Sequence, residues 1–261
     1  MKAAPIANDY GSKDCVNLSP SIAVSSLNSL FSSLQHLFYP AFCIHCKSAL
    51  HQNQKLLCTP CFDLLELLET DERCPYCFST DYHKRNQVCG RCLKQPRLFD
   101  GMAAAFEYTG PAASLIKHLK YAKQPYLAKG CAPFLCAQFL QLNWPLPDYI
   151  VPVPMSRTHL FMRGFNQSLL IAQELSRLIE KPTLDVLKRR SGDFSQAGLS
   201  RKQRKELHQN AIHLKKESHL LLDKTLLLVD DVMTTGSTLR RCSEALGNSF
   251  PKAIYAITVC H

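Results

Sequence analysis

Leu226 to Leu239, LLLVDDVMTTGSTL, sets the architecture of the chain. An apolar run that begins at Thr225 (TLLLV) and breaks off at Asp230-Asp231 has the pattern of a central parallel strand buried on both faces. Ser237 to Leu246 reads as a helix closed by Gly247. Between them lies a short loop of small hydroxylated residues around one glycine. The backbone N–H groups of Thr234 to Thr238, with Gly236 among them, can surround a phosphate dianion together with the hydroxyls of Thr234, Thr235, Ser237 and Thr238 and the helix N-terminus. Asp230 and Asp231, at the strand end, can accept hydrogen bonds from a vicinal diol. These residues point to a ribose phosphate. No lysine stands where a Walker loop needs one, which excludes ATP hydrolysis of that type.

The same alternation extends in both directions. Ala112 to Lys120 reads as a helix, Tyr149 to Val153 as a buried strand, and Asn166 to Glu180 as a helix with Asn166 near its start and Pro182 just past its end. Ala253 to Val259 supplies another strand. The pattern predicts an α/β fold with an open, mostly parallel sheet over residues 99–261, and a ligand site at the carboxyl ends of its strands.

Residues 40–98 are of another kind. Of 13 cysteines, eight fall in four CxxC pairs: Cys43/Cys46, Cys58/Cys61, Cys74/Cys77 and Cys89/Cys92. Eleven residues separate the pairs within each half and the halves repeat at an offset of 31, so the segment is an internal duplication. Four thiolates satisfy tetrahedral Zn²⁺, and a CxxC turn places two sulfurs on one ion. The segment has too few apolar residues for a core of its own, so metal binding supplies its folding energy. One or two zinc sites are expected. Sequential pairing (Cys43, Cys46, Cys58, Cys61, then Cys74, Cys77, Cys89, Cys92) fits the repeat best, and a cross-braced pairing fits the same spacing. His45 and His51 are not expected to bind metal, since all four sulfurs are present.

Charge is local. The formal net charge is +10, and Lys188 to Lys216 holds nine basic residues against two acidic ones. Such a window suits a polyanion or a phosphorylated ligand. Residues 1–20 are polar and aperiodic and read as a disordered tail; residues 21–39 read as an amphipathic helix that needs a partner. No apolar run approaches the roughly 20 residues that cross a bilayer, and the start lacks the pattern of a secretory signal. A cytoplasmic protein without a membrane span is expected.

VDDVMTTGST resembles the motif that binds 5-phosphoribosyl-1-pyrophosphate (PRPP) in type I phosphoribosyltransferases. The CxxC-rich front with PVPMSRTHLFMRGFNQ (Pro152 to Gln167) resembles the ComF family of DNA-uptake proteins. The likeness covers roughly Phe38 to His261. It implies a type I phosphoribosyltransferase fold behind an N-terminal four-cysteine zinc-ribbon module, with PRPP held together with Mg²⁺. Carried over residue by residue, it makes Asp230 and Asp231 the catalytic pair on the ribose hydroxyls and places the 5-phosphate on Thr234 to Thr238. Val153, Pro154, Met155 and Ser156 match the pyrophosphate loop, with Arg157 and Arg163 close behind; a leaving pyrophosphate needs such cationic and amide donors. The basic window, with Arg189, Arg190, Arg201, Lys202, Arg204 and Lys205, falls where these enzymes carry a mobile loop, and either closes over pyrophosphate or holds a nucleic-acid backbone.

The family resemblance implies a role in natural transformation, in which the protein handles incoming single-stranded DNA. Two other readings stay open. One is a working transferase that moves phosphoribosyl from PRPP to a base or amine, although no base-recognition loop is identifiable. In the other, the zinc module docks a DNA-translocating helicase.

Overall fold

The computed structural model describes residues 42–51, 54, 56–82, 88–94, 97–122, 124–189 and 212–261. Cys43–His261 form one compact unit. Two one-turn helices, α1 (Thr59–Asp63) and α2 (Gly90–Lys94), belong to the cysteine-rich part. Next come β1 (Gly101–Phe106), α3 (Gly110–Tyr121), α4 (Leu127–Gln141), β2 (Tyr149–Pro152), α5 (Arg157–Arg163) and α6 (Gln167–Ile179). After β3 (Leu187–Arg189) and β4 (Ile212–Leu214), the chain closes with β5 (Thr225–Val232), α7 (Ser237–Gly247) and β6 (Ala253–Cys260).

The sheet is parallel throughout, in the order β1-β6-β5-β2. The run TLLLV occupies its middle: Leu228 pairs with Val151 on one side and with Ala256 on the other, and Leu226 to Val229 are wholly buried. Burial on both faces is what an unbroken apolar run requires. β5 therefore carries Asp230 and Asp231 immediately before its last residue, Val232, at the carboxyl edge of the sheet, where an open α/β fold binds its ligand. β3 and β4 form a separate antiparallel pair that flanks the basic window.

Both outer strands are covered. Met102 N–H in β1 donates to Pro75 O and Leu68 N–H donates to Ala105 O, so the cysteine-rich segment closes that edge. At the other edge Ile150 N–H donates to Pro182 O and Leu184 N–H to Ile150 O. The cysteine-rich part also packs through its rings, Phe62 lying 6.0 Å from Phe134 and Phe134 5.0 Å from Phe106. The buried amide of Gln138 reaches Leu68 O at 3.0 Å.

The expected helices and strands over 112–120, 149–153, 166–180, 225–229, 237–246 and 253–259 all form. β1, α4, α5, the β3–β4 pair and the one-turn helices α1 and α2 are additional. The tail and the amphipathic helix expected over residues 1–39 lie outside the described residues. No helix among the described residues is long and apolar enough to cross a membrane.

Candidate functional site

The eight cysteines gather into two groups of four, Cys43, Cys46, Cys58 and Cys61, then Cys74, Cys77, Cys89 and Cys92, with the sulfurs of each group within 4.8 Å of one another. This is the sequential pairing. In each group one CxxC lies in a turn and the other at the start of a one-turn helix, so backbone geometry presents both pairs to a common centre. Cys46 and Cys58 Sγ are 3.5 Å apart and Cys77 and Cys89 Sγ 3.4 Å, close to the tetrahedral edge of about 3.8 Å that Zn–S bonds of about 2.3 Å give.

The thiols of the first group differ widely in acidity. The Ser48 hydroxyl holds Cys46 down at about 6, whereas burial, then the neighbouring thiols, push Cys61 up to about 12. A divalent ion that lets all four ionise suits this donor set. His45 stays out of the group: its Nδ1 lies 3.0 Å from Ser114 Oγ on α3.

The acidic pair sits in a cavity of about 190 Å³ at the carboxyl edge of the sheet. Asp230 Oδ1 accepts from Ser168 Oγ at 2.7 Å and from Asp231 N–H at 2.9 Å. Asp231, only 6% exposed, pairs with Lys120 Nζ from the end of α3 at 2.8 Å. Burial, then the charge of Asp231, push the Asp230 carboxyl up to about 7. The two adjoining carboxylates, one of them paired with Lys120, repel each other, a condition that a bound divalent cation relieves.

The wall opposite is the segment after β2. Val153, Pro154, Met155 and Ser156 line the cavity, as do His159 and Arg163 of α5. Ser156 caps α5 by accepting from His159 N–H, and Gly164, at φ 86°, ends it in the left-handed conformation that favours glycine. Asn166 accepts from Ser168 N–H as the cap of α6 and donates through Nδ2 to Val153 O at 3.0 Å, tying the helix start to the expected pyrophosphate segment. Gln167, 1% exposed, is among the residues lining this cavity, and its Nε2 is buried with no hydrogen-bond partner among the described residues. A buried amide donor left in this state is available to a bound anion.

The expected phosphate loop divides. Thr238 lines the cavity with the acidic pair, while Thr234, Thr235 and Gly236 line a second cavity with Tyr76 and Arg97 of the cysteine-rich part and Met102 of β1. Gly236 takes φ 68°, and Ser237 begins α7. Arg157 is exposed at the start of α5 and does not line the cavity. Arg189, expected in the basic loop, ends β3 and lines the cavity beside Asp230. Arg190, Arg201, Lys202, Arg204 and Lys205 lie outside the described residues. Sequence reasoning missed Lys120, Gln167 and Ser168. The first two residues after the Asn166 cap were the available signal for Gln167 and Ser168; nothing local marks Lys120.

A model of the phosphoribosyl transferase domain matches residues 166–261. Competence protein F of Haemophilus influenzae is 34% identical over 216 residues, which cover 80% of this chain and 92% of that protein. DNA utilization protein YhgH of Escherichia coli K12 is 29% identical over 86% of this chain and 98% of its own length. Competence protein ComFC of Streptococcus pneumoniae is 26% identical over 78% and 87%. On likeness of this extent the chain belongs to the ComF family.

Proposed function

We propose that this protein serves DNA uptake as a cytoplasmic binding protein, handling single-stranded DNA while its sheet binds PRPP or a related ribose phosphate with Mg²⁺. One observation carries the ribose-phosphate part: Asp230, Asp231, Thr238, the 153–156 segment and the unpartnered Gln167 amide surround a single cavity at the carboxyl edge of the sheet. In this reading Asp230 and Asp231 accept the ribose hydroxyls. Arg163 and Gln167 donate to the pyrophosphate, and the amides at the start of α7 donate to the 5-phosphate. Bound Mg²⁺ supplies the charge that lets both carboxylates ionise. Zinc fills both four-cysteine groups, whose thiols the reducing cytoplasm keeps available.

The DNA part draws on the likeness to a competence protein and a DNA utilization protein and on the +10 charge. Anisotropy of a labelled single-stranded oligonucleotide, titrated with zinc-loaded protein at two salt concentrations, tests it; binding that falls with salt is expected. Calorimetry with PRPP and Mg²⁺ tests the other half. Asp230→Ala with Asp231→Ala abolishes the heat of binding and leaves the circular dichroism unchanged; equal PRPP affinity would refute the assignment.

A working transferase is the second reading, because the acidic pair and the 153–156 segment, against which a leaving pyrophosphate would sit, line the same cavity. Pyrophosphate release from PRPP with a panel of nucleobases would establish it.

A further inference from the structure

Helix α5 buries none of its side chains. Leu160, Phe161 and Met162 are 43%, 92% and 57% exposed, three consecutive apolar residues on the surface of a helix firmly capped at both ends. A folded surface carries such a run only where something covers it in use. The sequence RTHLFMR interleaves it with Arg157, His159 and Arg163 and contains no acidic residue. The guanidinium of Arg163 lies 5.4 Å from the ring centroid of Tyr121, which is itself 72% exposed. His159 and Arg163 also line the cavity of the acidic pair, so the patch forms its rim.

We propose that α5, with Tyr121 beside it, is a base-stacking platform for single-stranded nucleic acid at the rim of the Asp230/Asp231 cavity. An unpaired base offers a flat face to an exposed ring, and its phosphates seek cations within a few ångströms; Phe161 and Tyr121 supply the rings, Arg157 and Arg163 the cations. A duplex keeps its bases stacked internally and cannot use the rings. The platform rests on the nucleic-acid part of the proposed function and gives the strand a site outside the zinc module and the basic window.

The test is anisotropy of a labelled oligothymidylate of about 15 nucleotides with the full zinc-loaded chain. Phe161→Ala weakens binding about tenfold, Phe161→Tyr restores it, and PRPP binding is the same in all three proteins. The slope of affinity against salt is unchanged in Phe161→Ala, because the ring neutralises no phosphate. An oligonucleotide carrying 5-iododeoxyuridine crosslinks to Phe161 or Tyr121 on irradiation. Wild-type binding that Phe161→Ala leaves intact, with crosslinks elsewhere, overturns the platform and spares the DNA-handling reading. A wild type that binds no oligonucleotide overturns both. Binding to vesicles of phosphatidylglycerol and phosphatidylcholine that Phe161→Ala abolishes, with DNA affinity unaffected, assigns the patch to a membrane surface and also overturns the proposal.

Discussion

Lys120 Nζ lies 2.8 Å from Asp231 Oδ1, with the two side chains only 18% and 9% exposed. The lysine stands at the far end of α3 from the cysteine-rich part, yet it supplies the cation nearest the acidic pair. Removing it leaves Asp231 shielded from water and beside a second carboxyl. Lys120→Met should therefore destabilise the ligand-free protein by about 3 kcal/mol in urea unfolding, and adding Asp231→Asn should recover much of the loss. An unchanged midpoint in the single variant would mean that solvent already screens the pair.

Asp230 makes stability depend on pH. Its folded value, about 7, exceeds the ordinary carboxyl value, so the folded protein holds this proton more tightly than the unfolded chain. The resulting stability is fully present below about pH 4 and is lost as pH rises through about 7. Asp230→Asn cannot ionise. Thermal unfolding should show the variant above the wild type at pH 8, with the gap narrowing steadily towards pH 4.

Asn166 joins two parts of the site, capping α6 and holding Val153 O. Asn166→Ala should cost about 1 kcal/mol of stability, the usual loss of a helix cap. It should weaken PRPP severalfold as well, since the 153–156 segment loses its tether. Calorimetry separates the two effects; a stability loss with full affinity would show that the segment is held by other contacts.

Metal analysis of the wild type should give two zinc ions per chain, one for each four-cysteine group. Cys74→Ser with Cys77→Ser should leave one. It should also lower the thermal midpoint of the whole unit, because Pro75, between those cysteines, bonds directly to β1. Two ions still bound in the variant would remove these cysteines from the ligand set.

Much of this arrangement was legible in the residues. TLLLV announced a strand buried on both faces, and the abrupt Asp230-Asp231 announced the carboxyl end of that strand. The duplicated CxxC spacing announced two four-cysteine groups, although only folding distinguished sequential from cross-braced pairing. β1 escaped notice because GMAAAF lacks the β-branched and aromatic run that marks strands; its place is set by neighbours on both sides. Gly130 and Pro133 obscured α4, whose surroundings compensate for both. Lys120 could not be read at all. It is 111 residues from Asp231, and topology alone brings them together.

The covered edges of the sheet have a consequence for solubility. An exposed outer strand offers unpaired N–H and C=O groups to any neighbouring chain, a template for aggregation. Here 182–184 occupies one rim and 68–75 the other, so the sheet cannot be extended by another molecule. The second cover is anchored by a four-cysteine group and the first is not. Stripping the metal should leave β1 as a sticky border, and the chelated protein should precipitate while its helices and strands are still largely intact.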